Sequence, residues 1–217
     1  MGRTRSRELS FRRCFSVRRA LAHLKAADPV MGGLIERLGP YRIQYSPLAF
    51  QTLAKAIVLQ QLSGKAAAKI FSRLLEAGGD GELTPAALLR LPPARLRALG
   101  LSRQKIAYLR ELARRTLAGE LDFQALEELP DQEVAGRLTA FKGIGLWTVH
   151  MLLIFALRRP DVMPSGDLGI RAAVRRAYGY SELPSPAEVE RLAERWRPYR
   201  SVASWYLWRS LEDQAGL

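Results

Sequence analysis

The stretch Leu138-Thr-Ala-Phe-Lys-Gly-Ile-Gly-Leu-Trp-Thr148 joins two apolar helical segments through Gly143 and Gly145, which flank Ile144. A Gly-hydrophobe-Gly turn lets the backbone reverse tightly and leaves amide N–H groups unobstructed where the second helix begins. Such a turn can cradle an anion without any charged side chain. The same pattern also serves plain helix packing, so the turn alone implies a helix–turn–helix unit able to hold an anion and nothing narrower. One helix length further on, a lone carboxylate, Asp167, follows Pro164-Ser165-Gly166, a sequence that can leave the backbone exposed. A carboxylate at a helix start is ordinarily an N-cap, and that role is compatible with a chemical one.

Outward from this unit, helical spacing of apolar residues recurs from Val17 to the C-terminus. No segment sustains the period-two alternation of a strand, and an all-α fold is expected. Ser46-Pro47 predicts a helix start, Ser at the cap and Pro in the first turn, with the helix running to about Leu62. Ser63 can cap the next helix, which ends at Gly78-Gly79. Pro92-Pro93 and Ser102 begin two more, the second presenting Ile106, Leu109, Leu112 and Ala113 on one face. Pro130-Asp131 opens the first hairpin helix, and Gly145 starts the second, which is read to Arg159-Pro160. Asp167 opens a helix to about Tyr178, and Ser185-Pro186 another.

The composition narrows the partner. At 217 residues the chain can bury a full core, and its 34 Lys and Arg against 21 Asp and Glu leave a net charge of +13. A polyanion, nucleic acid first, suits that balance. An anionic membrane surface would need a strongly amphipathic surface helix or a lipid anchor, and no lipidation motif is present. Cys14 is the only cysteine, which excludes an internal disulfide and a cysteine-ligated zinc or iron–sulfur centre. His23 and His150 are too isolated to suggest a metal site or a triad. The longest apolar run, Leu146 to Leu157, is interrupted by His150 and is too short to span a bilayer, so a soluble chain in a reducing compartment is expected. Residues 1–16 are dense in arginine, with only Glu8 opposing, and read either as a flexible basic arm or as a transit peptide.

From the hairpin to Pro160-Asp-Val-Met-Pro-Ser-Gly-Asp-Leu-Gly-Ile-Arg171, the chain resembles the helix-hairpin-helix DNA glycosylase superfamily. Within that superfamily it is most similar to the 3-methyladenine DNA glycosylase II branch. The resemblance implies two helical lobes with the active-site cleft between them: a middle lobe of residues 46–160 containing the hairpin, and a second assembled from 17–45 and 161–217. It also implies a near-minimal helical core without the additional domain of some larger relatives.

The activity so implied is that of a monofunctional glycosylase, a monomer acting on double-stranded DNA. It would flip an alkylated purine such as 3-methyladenine or 7-methylguanine and hydrolyse its N-glycosidic bond. The alternatives are a non-catalytic helix-hairpin-helix DNA-binding protein and a bifunctional glycosylase/AP lyase. An intracellular site, bacterial nucleoid or nucleus, follows from the substrate.

Residue by residue, the resemblance makes Asp167 the catalytic acid. The helix N-terminus favours its ionised form, and negative charge beside a sugar becoming oxocarbenium-like stabilises the transition state. Asp161 is the nearby competitor and reads as a loop or capping residue. Trp147 stands where the lyase branch has a Schiff-base lysine, and an indole cannot form one. Trp147, Met151 and Trp208 would line the base pocket, where electron-rich rings favour a cationic purine; at Met151 some relatives present a tyrosine. Trp205 and Tyr206 read as packing.

Gln60, Gln61, Leu62 and Ser63 would enter the minor groove, with Gln61 filling the gap left by the flipped base and Leu62 as a wedge. Lys142, Gly143, Ile144, Gly145 and Thr148 would meet the DNA at the hairpin. Lys105 reads equally as a phosphate contact or a solvated lysine. No side chains suggest a metal site and no cofactor is expected, although in related hairpins a monovalent cation bridges backbone carbonyls to a phosphate.

Overall fold

A computed structural model describes residues 15–60, 64–79 and 81–213, with side chains 61–65 left out. The arm up to Cys14 and the expectations for Gln61, Leu62 and Ser63 lie outside the described residues. Among the described residues there are thirteen α-helices and one 3-10 turn, and no strand. The all-α expectation therefore holds.

The described residues form two compact units. One takes the chain up to Tyr45 and again from Leu153 onward; the other is Ser46–Leu152. The second crossing thus falls inside a helix, whereas the sequence reading drew it after Pro160.

The discontinuous unit contains α1 (Val17–Ala27), α2 (Pro29–Leu38), α11 (Leu168–Tyr178), α12 (Pro186–Ala193), a 3-10 turn (Glu194–Trp196) and α13 (Arg200–Glu212). Leu24, Met31, Ile170, Val174, Val189, Trp196 and Tyr206 form its core. Asp28 divides α1 from α2. One carboxylate oxygen accepts from the amides of Val30 and Met31, as an N-cap should. The other accepts from Tyr178 Oη at 2.8 Å and Trp196 Nε1 at 2.9 Å. A carboxylate only 1% exposed is thereby satisfied on both oxygens. Asp28-Pro29 is an ordinary cap-and-proline helix start, legible in the sequence but masked by the continuous apolar spacing around it.

The other unit contains α3 (Phe50–Leu59), α4 (Gly64–Gly78), α5 (Pro85–Arg90), α6 (Pro93–Ala98), α7 (Arg103–Leu117), α8 (Phe123–Glu128) and α9 (Asp131–Thr139). It also holds the start of α10 (Leu146–Phe155). Helix α7 is central, with Ile106, Leu109, Leu112 and Ala113 buried as their spacing requires.

Two boundaries depart from the sequence reading. Helix α3 starts three residues after Pro47 with Ala49 at the cap, because Thr52 Oγ1 donates to Pro47 O and holds the entry out of helical register. Its last residue is Leu59, not Leu62. Helix α10 stops at Phe155 instead of reaching Pro160: Arg158 is left-handed with φ 55°, and Arg159 N–H closes back onto Leu153 O. That is a helix ending with a left-handed residue that is not glycine.

Candidate active site and nucleic-acid interface

The hairpin turn between α9 and α10 is anchored from below by Phe141 and Ile144, both buried. Their amides close successive tight turns, Phe141 N to Leu138 O and Ile144 N to Phe141 O, each at 3.1 Å. The two glycines have different reasons to be there. Gly143 has φ 85°, and a Cβ on it would stand 2.3 Å from the Tyr108 ring, so conformation and space both exclude a side chain. A Cβ on Gly145 would meet nothing within 4 Å. Its lack of a side chain instead leaves the start of α10 open to a close approach from outside.

The turn rests on one face of α7. Arg115 lies 4.0 Å over the Phe141 ring and donates to Ala140 O at 2.9 Å. Glu111 stands 3.7 Å from Lys142, whose side chain is 74% exposed. Gln60 Nε2 donates to Gly143 O at 2.7 Å. A cavity of about 500 Å³ opens at this turn, bordered by Gln60, Lys105, Tyr108, Lys142, Gly143 and Gly145.

Several expectations change here. Thr148 is buried, and so is the Ile144 side chain. Thr148 stands one turn beyond Gly145 on the inward side of α10, which leaves only backbone to offer a ligand at these two positions. Gln60 spends its amide on the hairpin carbonyl. Lys105 is not simply a solvated lysine: its Nζ donates to Val58 O and Gln60 O at 2.7 and 2.6 Å. Burial lowers its pKa from the ordinary 10.5. Of the turn carbonyls, those of Ala140 and Gly143 each accept one hydrogen bond from a protein side chain. Among the described residues no three His, Cys, Asp or Glu side chains gather as metal ligands.

Trp147 is 47% exposed on the first turn of α10, and Met151 is half-buried one turn on. Both belong to the Ser46–Leu152 unit, whereas Asp167 and Trp208 belong to the other.

In that other unit Asp167 caps α11, its Oδ1 accepting from Ile170 N at 2.9 Å. The same oxygen accepts from Trp208 Nε1, also at 2.9 Å. The Trp208 ring is stacked on Phe155, with centroids 5.8 Å apart and planes at 29°. Sequence reading did not single out Phe155. A lone aromatic at the end of an apolar helix carries no signal of its own, and only the fold brings it to Trp208. Gly169 permits the closeness of this group, since a Cβ there would stand 3.0 Å from Asp167 Oδ1 and 3.3 Å from Trp208 Cδ1.

Arg200, Ser201 and Trp208 of α13, with Arg197 just ahead of it, hold the approach to Asp167. Arg200 grips Asp161, with Nε 2.7 Å from Oδ1, and Arg197 donates to Oδ2 at 2.8 Å. Ser201 Oγ donates to Arg159 O and accepts from Val162 N. Trp208, two turns beyond Arg200, reaches Asp167. Asp161 is a loop residue, as expected, and accepts from Arg200 N at 3.4 Å at the start of α13; it is also the anion of a structural ion pair. Tyr206 is fully buried and donates to Gly39 O, which is a packing role as expected.

Residues 54–198 match the HhH-GPD superfamily of base excision DNA repair proteins. The chain is 36% identical to DNA-3-methyladenine glycosylase 1 of Schizosaccharomyces pombe over 200 residues, covering 90% of this chain and 88% of that protein. The solved structure of the S. pombe 3-methyladenine DNA glycosylase in complex with abasic DNA superposes with a TM-score of 0.84 at 36% identity. It covers 89% of this chain and 97% of the other. A DNA-3-methyladenine glycosidase from Bacillus halodurans gives a TM-score of 0.81 at 35% identity, covering 91% of each chain.

Proposed function

The chain belongs to the HhH-GPD superfamily of base excision DNA repair proteins, in its DNA-3-methyladenine glycosylase branch, and we propose that it is a monofunctional hydrolase of alkylated purine nucleotides in duplex DNA. The observation that carries this reading is the Asp167 carboxylate, held at the start of α11 by Ile170 N and Trp208 Nε1 beside an aromatic stack.

An N3- or N7-alkylated purine is cationic and departs neutral, taking the electron pair of its bond to C1′. It needs little protonation from the enzyme. Negative charge is needed at the sugar, which becomes oxocarbenium-like as the bond opens; Asp167 supplies it, fixed in place before the reaction starts. Water adds to C1′ and gives up a proton, leaving an abasic site. Trp147 offers no amine for a Schiff base, so the strand stays intact. The extrahelical purine stacks on electron-rich rings, with Trp147 and Trp208 as candidates and Met151 shaping the range of bases accepted.

The hairpin receives a phosphate on the backbone N–H groups at the start of α10, with Gly145 giving access and Lys142 adding charge. The protein acts as a monomer, wherever the genome is held. Among the described residues no helix is long and apolar enough to cross a membrane.

The test is release of free base from duplex DNA carrying 3-methyladenine or 7-methylguanine, comparing wild type with Asp167→Asn at matched DNA binding. Base release without strand cleavage, lost by at least about a hundredfold in the variant, is expected when a preorganised charge is removed. Binding without release by either protein would leave a DNA-binding module. A fully active variant would mean that another group is the acid.

A further inference from the structure

Lys105, Tyr108, Glu111 and Arg115 lie at three- and four-residue spacing along α7 and so share one face. Tyr108, Glu111 and Arg115 each meet the hairpin turn. Lys105 does not touch the turn itself. It donates to Val58 O and Gln60 O, carbonyls at the end of α3 that lie beyond the reach of intrahelical donors. Gln60 then donates from its side chain to Gly143 O. The three residues form a chain of hydrogen bonds from α7 through the end of α3 to the glycine whose left-handed backbone makes the turn. A lysine serving only as surface charge would stay in water; this one gives up solvation, at the cost of a lowered pKa, to sit against a helix C-terminus.

We propose that Lys105 is a positioning residue for DNA binding. It fixes the end of α3 so that Gln60 pins the Gly143 carbonyl, which holds the Gly143–Ile144 peptide plane and the following amides in the orientation that receives a phosphate. The inference rests on the DNA-binding reading above, yet the relay exists in the free protein and can be tested there. Two simpler roles make different predictions. A pure helix cap would stabilise α3 without affecting the turn. A direct phosphate contact would give Lys105 its own share of the salt dependence of binding.

Two measurements on the full chain separate these. Hydrogen exchange of the DNA-free protein is compared for wild type, Lys105→Met, Lys105→Gln and Gln60→Ala. The relay requires faster exchange in the turn segment 139–147 in every variant, with α5 unaffected. Affinity for a duplex containing a tetrahydrofuran abasic-site analogue is then measured across a salt series. Lys105→Met should weaken binding about tenfold, the order expected when one charge-assisted hydrogen bond's worth of organisation is lost. Adding Gln60→Ala should weaken it less than about twofold further, because both changes break the same chain.

The slope of log Kd against log salt should be unchanged. A slope lower by about one phosphate's share would mean direct contact and overturn the relay. Unaltered exchange in the turn, or losses that multiply, would overturn it as well. Should the wild type fail to hold duplex DNA, the functional reading falls, while the exchange data still decide the relay.

Discussion

Replacing Gly143 and Gly145 by alanine, one at a time, should separate folding from binding within a single turn. At Gly143 the backbone has φ 85° and a Cβ would come within 2.3 Å of the Tyr108 ring. Holding an L-residue in the left-handed region costs about 1–2 kcal/mol, and pushing a packed ring aside adds about 1–3 kcal/mol. For a chain of this length each kcal/mol lowers Tm by roughly 2–4 °C, so Gly143→Ala should melt roughly 4–20 °C below wild type. At Gly145 φ is not positive and the added methyl meets nothing, so its stability should stay within about 0.5 kcal/mol of wild type.

Binding should run the other way per folded molecule. A methyl on Gly145 stands where a phosphate would approach the start of α10. Loss of one charge-assisted hydrogen bond there, about 1.5–3 kcal/mol, corresponds to a roughly ten- to hundredfold weaker Kd. Thermal melts monitored by fluorescence, and anisotropy titrations of an abasic-site duplex below the lower Tm, provide the two numbers. Equal destabilisation by both substitutions, or a Gly143→Ala Tm within a degree of wild type, would refute the assignment of the two glycines to different tasks.

Trp208→Phe keeps a ring against Phe155 but removes the donor to Asp167 Oδ1. A hydrogen bond to a charged group is worth about 1.5–3 kcal/mol, so single-turnover base release should slow by roughly ten- to a hundredfold; a rate within twofold of wild type would detach Trp208 from the chemistry. Asp161→Asn takes from Arg200, whose side chain is 10% exposed, its nearest counter-charge and leaves Glu190 and Glu194 at 3.4 and 3.9 Å. Because Asp161 itself is 25% exposed and two glutamates remain beside Arg200, the cost should be about 1–2 kcal/mol, below that of breaking a fully buried pair. It should be measured by denaturant unfolding, with base release per folded molecule unchanged. A large catalytic loss at unchanged stability would instead put Asp161 at the reaction.

The sequence by itself determined the helical class, most helix starts, the hairpin and the carboxylate after it. These are local matters. Caps at Ser102, Asp167 and Ser185 act within one turn of chain, and the Gly143-Ile-Gly145 turn follows from backbone freedom that no distant contact supplies. It was equally able to identify Cys14 as a lone thiol and the chain as a polycation. Tertiary structure alone decided which polar side chains face outward and which are committed inside. Lys105 and Gln60 look like surface ligands for DNA in the sequence, yet they bond helix-end and hairpin carbonyls 45 and 83 residues away. Thr148 is polar and buried. Asp161 and Asp167 are two aspartates in one loop, and their partners are set when Arg197 and the start of α13 bring two arginines to the first and α13 brings an indole N–H to the second. Phe155 acquires a role only by meeting Trp208. Hydrogen-bond partners and ring stacks between distant segments depend on how helices pack, and packing is set by the whole set of buried faces at once, which no local window of sequence contains.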